Sequence, residues 1–169
     1  MFTEKDAISG VVSGVTAQWD VPLGVLRGYC SETFAYDMGA AIRASGKPTY
    51  VYQLGDHDPS GVGAWTDFQT KVRRFAPDTE VTFERIAVTS EQIVDLELPT
   101  RPTKTTDTRS KGFTGGSVEV DAVPAPVLRE LVTAAIERHV DLDALDRTRV
   151  YEDNERELLF SLAGRGWSA

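Results

Sequence analysis

The sequence is poor in cysteine and contains no long apolar run. Cys30 is the single cysteine among 169 residues, so neither a disulfide framework nor a thiolate metal cluster can form within one chain. No stretch approaches the roughly 18 consecutive apolar residues of a membrane helix. Glu4 and Asp6 interrupt the amino-terminal segment, so we expect no signal peptide. These absences predict a cytoplasmic protein with no membrane partner.

Positive charge is also scarce. Lysine and arginine total 18 against 26 aspartates and glutamates, which gives a net charge of −8. Proteins that hold nucleic acid unaided usually carry a basic face, because much of their affinity comes from neutralising phosphates. A nucleic-acid-binding function would therefore require a local basic cluster, bridging metal ions, or a partner protein that supplies part of the affinity.

The order of predicted elements indicates an α/β fold. Short β-type runs alternate with helical periodicity in the order β-α-β-α-β-α-β, and an irregular stretch and a helical tail follow. This alternation predicts a parallel, Rossmann-like sheet of about four strands with helices on both faces. We assign residues 1–123 to the α/β domain and 124–169 to a helical extension packed on it, with Leu158, Leu159 and Phe160 buried. One further short strand is expected at 118–120.

The segment from Tyr50 to Gly61 carries the clearest chemical signal. A β-branched and aromatic run ends abruptly at two carboxylates, Asp56 and Asp58, and a Pro-Ser-Gly turn follows. Ligands of open parallel sheets bind just outside the carboxyl ends of the strands, where both aspartates would lie. Two hard oxygen donors there suit a Mg²⁺ ion that keeps several waters and takes substrate phosphates. Asp58 before Pro59 is equally well explained as a helix N-cap, an interpretation that leaves Asp56 unexplained.

A third acid extends this pattern. Glu4 comes where the first predicted strand gives way to its helix, so it also projects from a carboxyl edge. If the first and third strands are neighbours, Glu4 faces Asp56 and Asp58. Three clustered acids cannot all stay ionised without a cation, so the sequence predicts a metal site.

Three motifs together resemble the Toprim domain: Glu4-Lys5-Asp6-Ala7, Arg27-Gly28-Tyr29, and the Gly-Asp-His-Asp-Pro-Ser-Gly run that ends at Gly61. The resemblance is closest to the Toprim domain of the topoisomerase VI A subunit and its meiotic double-strand-break relatives. The chain is also similar to stand-alone Toprim proteins of actinobacteria and their phages. The segment from Ser117 to Ala122 resembles a later acidic motif of the family, so the likeness covers residues 1–140.

The resemblance implies Mg²⁺-dependent phosphodiester chemistry on DNA, as in a nuclease or a topoisomerase. Glu4 would be the general acid/base, and Glu4, Asp56, Asp58 and Asp121 would hold Mg²⁺, with Mn²⁺ as a substitute. Ser60 departs from the Asp-Pro-Tyr-Gly form of the topoisomerase relatives. Those relatives also carry a nucleophilic tyrosine on an upstream winged-helix domain, which a partner or a segment outside this sequence would have to supply. We therefore expect hydrolytic nicking rather than topoisomerisation.

Two alternatives remain open. The chain could be a non-catalytic Toprim subunit that binds nucleic acid or protein while the nucleophile lies on a partner or a missing segment. It could also process RNA or act as a primase, because a metal site by itself distinguishes neither base nor 2′-hydroxyl.

Basic residues near these motifs are candidates for nucleic-acid contacts. Lys5 and Arg27 lie at strand ends, and arginine is a natural phosphate clamp. The stretch 100–117 is polar and aperiodic, and its basic residues outnumber the single acid Asp107. A flexible loop of this kind suits phosphate contacts that order on binding, although a solvated loop explains it equally well. The candidates in this loop are Arg101, Lys104, Arg109 and Lys111.

Overall fold

The computed structural model describes residues 1–102, 113 and 115–165. Its strands are β1 (Phe2–Thr3), β2 (Gly24–Val25), β3 (Thr49–Leu54) and β4 (Val81–Ala87). They form one parallel sheet in the order β2-β1-β3-β4. The helices described are α1 (Asp6–Gln18), α2 (Glu32–Ser45), α3 (Pro59–Phe75), α4 (Ser90–Asp95), α5 (Ala125–Glu137) and α6 (Leu142–Arg165).

Short polar signals fix the helix ends. Oγ of Ser31 accepts a hydrogen bond from the backbone N–H of Phe34 at 3.1 Å and thereby caps the amino-terminal end of α2. Gly46 ends the same helix with a φ of +59°, a conformation that glycine adopts without strain. Thr89 and Gln92 form a reciprocal capping box at the start of α4.

Both faces of the sheet are covered. Adjacent residues of a strand point to opposite faces, and Val51 and Tyr52 of β3 are both buried. On one face α2 and α3 cover an aromatic cluster in which the Phe68 ring is 5.3 Å from that of Phe2 and 5.5 Å from that of Trp65. The predicted α/β class, with a four-stranded parallel sheet flanked by helices and a helical tail, is confirmed.

Two expectations about local structure are wrong. Residues 118–120 form no strand: Val118 makes an isolated bridge with His57, and a 3-10 turn follows at Val120–Ala122. The pairing stops because the backbone N–H of Val120 donates to the side chain of Asp56 instead of a strand carbonyl.

The apolar run near the end of α6 is exposed rather than buried. Leu158, Leu159 and Phe160 are 58%, 66% and 71% exposed. These side chains are exposed because α6 has no broad apolar stripe that could pack against a core. Five of the six residues from Glu152 to Glu157, which precede them, are charged. The described chain divides into two compact units, Met1–Ala135 and Ile136–Ala169. Within the described ranges no helix is both long enough and apolar enough to span a membrane.

Candidate functional site

The carboxyl ends of β1 and β3 lie side by side, and an acid follows each of them. Glu4 comes directly after β1, and its backbone N–H donates to the carbonyl oxygen of Leu54, the last residue of β3, at 3.0 Å. Oε2 of Glu4 accepts a hydrogen bond from the backbone N–H of Asp56 at 2.8 Å. Because β1 and β3 are paired, the adjacency on which the prediction depended is confirmed.

Glycine at two positions lets the Glu4 carboxylate approach the loop after β3. A Cβ atom at Gly61 would lie 2.6 Å from the carbonyl oxygen of Asp56 and 3.1 Å from Oε2 of Glu4. A Cβ atom at Gly55 would lie 2.9 Å from the same Glu4 oxygen. A side chain at either position would need its neighbours to move, so the two glycines create the space in which the Glu4 carboxylate lies.

Asp58 is the N-cap residue of α3. Its Oδ1 accepts a hydrogen bond from the backbone N–H of Gly61 at 2.6 Å, and Pro59 is the first helical residue. The prediction that Asp58 caps the amino-terminal end of a helix is therefore confirmed. Its Oδ2 accepts no hydrogen bond from a described residue, so capping leaves one oxygen available for a ligand.

Lys5 lies among three carboxylates at the same edge. Its Nζ is 3.2 Å from Oδ1 of Asp56 and 3.4 Å from Oε2 of Glu119, and it donates a hydrogen bond to Asp121. Oδ1 of Asp56 also accepts from the backbone N–H of Val120 at 2.9 Å. The turn that carries Asp121 is thereby attached to the loop after β3, and Asp121 lies near Asp56 with the ammonium group of Lys5 between them.

The environment shifts the charge states of Glu4 and Lys5. Burial raises the pKa of the Glu4 carboxyl, the hydrogen bond from Asp56 opposes this, and the negative charges of Asp56 and Asp58 add to the rise. At Lys5 burial favours the neutral amine, but hydrogen bonds to Asp121 and Asp56 outweigh it and raise the pKa of the ammonium group. Glu4 is therefore shifted toward its protonated form, while Lys5 stays cationic.

Arg85 is a residue of this site that the sequence prediction missed. Its Nη1 donates to the carbonyl oxygens of Gly55 at 3.1 Å and Asp56 at 2.7 Å, and its Nη2 donates to that of Gly61 at 3.0 Å. Burial lowers the pKa of this guanidinium, and the charges of Glu4, Asp56 and Asp58 oppose the shift. The signal in the sequence was an arginine near the carboxyl end of a strand that is otherwise largely apolar. Arg85 holds both ends of the loop that carries the two aspartates.

The basic residues predicted to contact nucleic acid have different surroundings. Arg27 is exposed at the end of β2, and its Nε donates to Asp6 at 3.0 Å. Arg101 is exposed and contacts Oε1 of Glu119 at 2.6 Å. Lys5 is bound to carboxylates, as described above. The other three candidates, Lys104, Arg109 and Lys111, lie outside the described residues.

The donor chemistry of this edge fits Mg²⁺. Glu4, Asp56 and Asp58 each use one carboxylate oxygen in a hydrogen bond with the backbone, and the other oxygen accepts none from a described residue. Such hard oxygens are the ligands that Mg²⁺ takes. As the side chains stand, however, the described residues contain no group of three acids, histidines or cysteines arranged to hold a metal ion.

No family model matches the chain, and comparisons with curated proteins and with solved structures find no match either. The resemblance to the Toprim domain thus depends on the three motifs of the sequence. The structure adds that all three lie at the carboxyl edge of one parallel sheet.

Proposed function

We propose that this protein is a Toprim-like enzyme that cleaves phosphodiester bonds in DNA in a Mg²⁺-dependent reaction. The observation that carries the proposal is the position of Glu4 beside the loop of Asp56 and Asp58, with Oε2 of Glu4 2.8 Å from the Asp56 backbone nitrogen. An acid with a raised pKa beside two carboxylates at the carboxyl edge of a parallel sheet is a combination suited to phosphoryl transfer.

The three acids divide into two roles in this proposal. Asp56 and Asp58 would hold the metal through the oxygens that their backbone hydrogen bonds leave available. When bound, Mg²⁺ supplies positive charge to the phosphate oxygens, and Mn²⁺ can replace it. Glu4 would accept a proton from the attacking water, because its raised pKa makes its carboxylate a stronger base than an exposed glutamate. The proposed reaction is therefore hydrolysis that leaves a nick.

Substrate contacts would come from the basic residues that border this edge. Arg27 and Arg101 have side chains that are 72% and 77% exposed, so both can exchange an acidic partner for a phosphate. Their partners, Asp6 and Glu119, are themselves exposed, and surface ion pairs of this kind contribute little stability. The single cysteine, which can form no disulfide within one chain, supports our proposal that the reaction takes place in the cytoplasm.

The test is nicking of supercoiled plasmid DNA by purified protein in Mg²⁺ or Mn²⁺. Wild type should convert the plasmid to the open-circular form, and Glu4→Gln and Asp56→Asn should each slow this by at least about 100-fold. Asp37→Asn, at an exposed acid of α2, is the matched control and should cleave at the wild-type rate. Equal cleavage by wild type and Asp56→Asn would refute the proposal. An RNA of the same sequence tested in parallel would show whether the substrate is RNA instead.

A second candidate function is favoured by one observation. Lys5 already pairs with Asp56, Glu119 and Asp121, as in a structural ion-pair network. The protein could therefore bind nucleic acid or a protein partner without cutting, while a partner such as a winged-helix protein supplies the nucleophile. Binding of a labelled DNA duplex with no cleavage in either metal would favour this function.

A further inference from the structure

We propose that Lys5 is the fixed second cation of the centre, so that the wild-type protein binds a divalent ion only on the Glu4 and Asp58 side of Asp56. This inference depends on the proposed function, because it defines how many metal ions that site takes. It makes Lys5 a residue of the centre itself rather than a contact to the phosphate backbone.

The first support is the position of the Lys5 ammonium group. It contacts Asp121, is 3.2 Å from Oδ1 of Asp56, and is 3.4 Å from Oε2 of Glu119. A second divalent ion shared between Asp56 and the turn at Val120–Ala122 would need these same oxygens. The ammonium group and that ion therefore compete for one place.

The second support is that the backbone builds this arrangement from both sides. Lys5 immediately follows Glu4 and is the N-cap residue of α1, so its backbone is fixed at the end of β1. On the opposite side, the backbone N–H of Val120 binds Oδ1 of Asp56 at 2.9 Å and thereby positions Asp121. The Lys5 side chain is only 31% exposed and that of Asp56 only 14%. The contact between them is thus partly removed from water. Salt therefore screens this ion pair less than it would screen a pair on the surface.

The third support is charge. Asp56, Glu119 and Asp121 face two cations, Lys5 and Arg101, so the cluster has one more carboxylate than it has cations. Without Lys5 the cluster would have two more carboxylates than cations. A divalent ion would neutralise this excess negative charge.

The test counts bound Mn²⁺ from the electron paramagnetic resonance signal of the free ion. Lys5→Met should bind one Mn²⁺ more than wild type, because three carboxylates lose their ammonium partner. Lys5→Arg retains the charge and should match wild type, and Lys5→Met/Asp121→Asn should lose the gained site. Lys47→Met changes an exposed lysine at the opposite edge of the sheet and is the matched control. Wild-type stoichiometry in Lys5→Met would overturn the inference.

The melting temperature provides a second test that does not depend on enzymatic activity. In EDTA, Lys5→Met should melt below wild type, because its carboxylates repel one another, and Mn²⁺ should raise its melting temperature by more than that of wild type. Equal shifts in the two proteins would contradict the inference. If Lys5→Met does not fold, the single variant Asp121→Asn tests the inference. It should bind as many Mn²⁺ ions as wild type. A loss of one ion would mean that Asp121 is a metal ligand in the wild-type protein and would overturn the inference.

These outcomes separate the inference from the proposed function. A Mn²⁺ site that appears only in Lys5→Met, with no site in wild type, would uphold the role of Lys5 and remove the metal-dependent activity. Two Mn²⁺ ions in wild type, one of them lost in Asp121→Asn, would uphold a metal centre and overturn the role of Lys5.

Discussion

Replacing Gly61 with alanine perturbs the loop that positions Glu4, Asp56 and Asp58. The added Cβ atom would lie 2.6 Å from the carbonyl oxygen of Asp56, 3.1 Å from Oε2 of Glu4 and 3.3 Å from Oδ1 of Asp58. The nearest of these atoms belongs to the backbone, so it cannot rotate away. The same carbonyl accepts the hydrogen bond from Nη1 of Arg85 at 2.7 Å, so a shift would disturb that contact as well.

The size of the effect follows from a comparison with Gly10. Gly10 lies within α1 and a Cβ atom there would meet nothing within 4 Å. Alanine in a helix is more stable than glycine by about 1 kcal/mol, and Gly10→Ala should gain an amount of this order. Gly61→Ala has the same gain in helix propensity but adds an overpacking cost of about 1–3 kcal/mol. The two variants should therefore differ in free energy of unfolding by about 1–3 kcal/mol.

Urea denaturation followed by circular dichroism measures both free energies. The expected order of stability is Gly10→Ala, then wild type, with Gly61→Ala less stable than Gly10→Ala by the amount above. Gly61→Ala should also bind Mn²⁺ more weakly, because Asp56 and Glu4 are displaced. If Gly61→Ala were as stable as Gly10→Ala, the close packing of this loop around Glu4 would be wrong.

Three further predictions concern individual side chains of the edge. Asp58→Ala should lower the free energy of unfolding by about 1 kcal/mol because the cap to Gly61 is lost, whereas Asp58→Asn should retain the cap. Both variants should bind Mn²⁺ more weakly than wild type. Undiminished binding would exclude Asp58 as a ligand. Arg85→Met should lose at least about 2 kcal/mol in urea denaturation, because it removes a charged donor from three carbonyls; an unchanged midpoint would contradict this. The pKa of Glu4 is raised in the folded protein, so the folded state favours the protonated carboxyl. The stability that this group contributes is therefore fully present below its ordinary pKa of 4.5 and is lost as the pH rises through its folded-state pKa. Glu4→Gln should therefore become more stable relative to wild type as the pH rises above 4.5, and a pH-independent difference would refute the shift.

Local chemistry made much of the fold predictable. Ser31, Gly46 and Thr89 act within a few residues of their own positions, so the helix ends they mark depend little on the rest of the chain. The proximity of Glu4 and Asp56 was predictable for a different reason: in a parallel sheet the strand ends meet at one edge, and only the adjacency of β1 and β3 had to be assumed.

The contacts that sequence reasoning missed all join distant parts of the chain. Lys5 meets Asp121 only because the turn at Val120–Ala122 folds back onto the loop after β3. Arg85 reaches Gly61 from the neighbouring strand across the sheet edge. Neither contact leaves a periodic pattern in the sequence, so sequence reasoning alone could not find them.

The most direct test of the proposed metal centre is a calorimetric titration of Mg²⁺ into wild type and into Asp56→Asn/Asp58→Asn, with a short DNA oligonucleotide present so that phosphates can complete the site. Asparagine keeps a side-chain oxygen for the backbone donors of Val120 and Gly61, so the double variant should stay folded. We expect saturable Mg²⁺ binding in wild type and its loss in the double variant. Equal binding in the two proteins, or none in wild type, would contradict a metal-dependent phosphodiester centre at this edge.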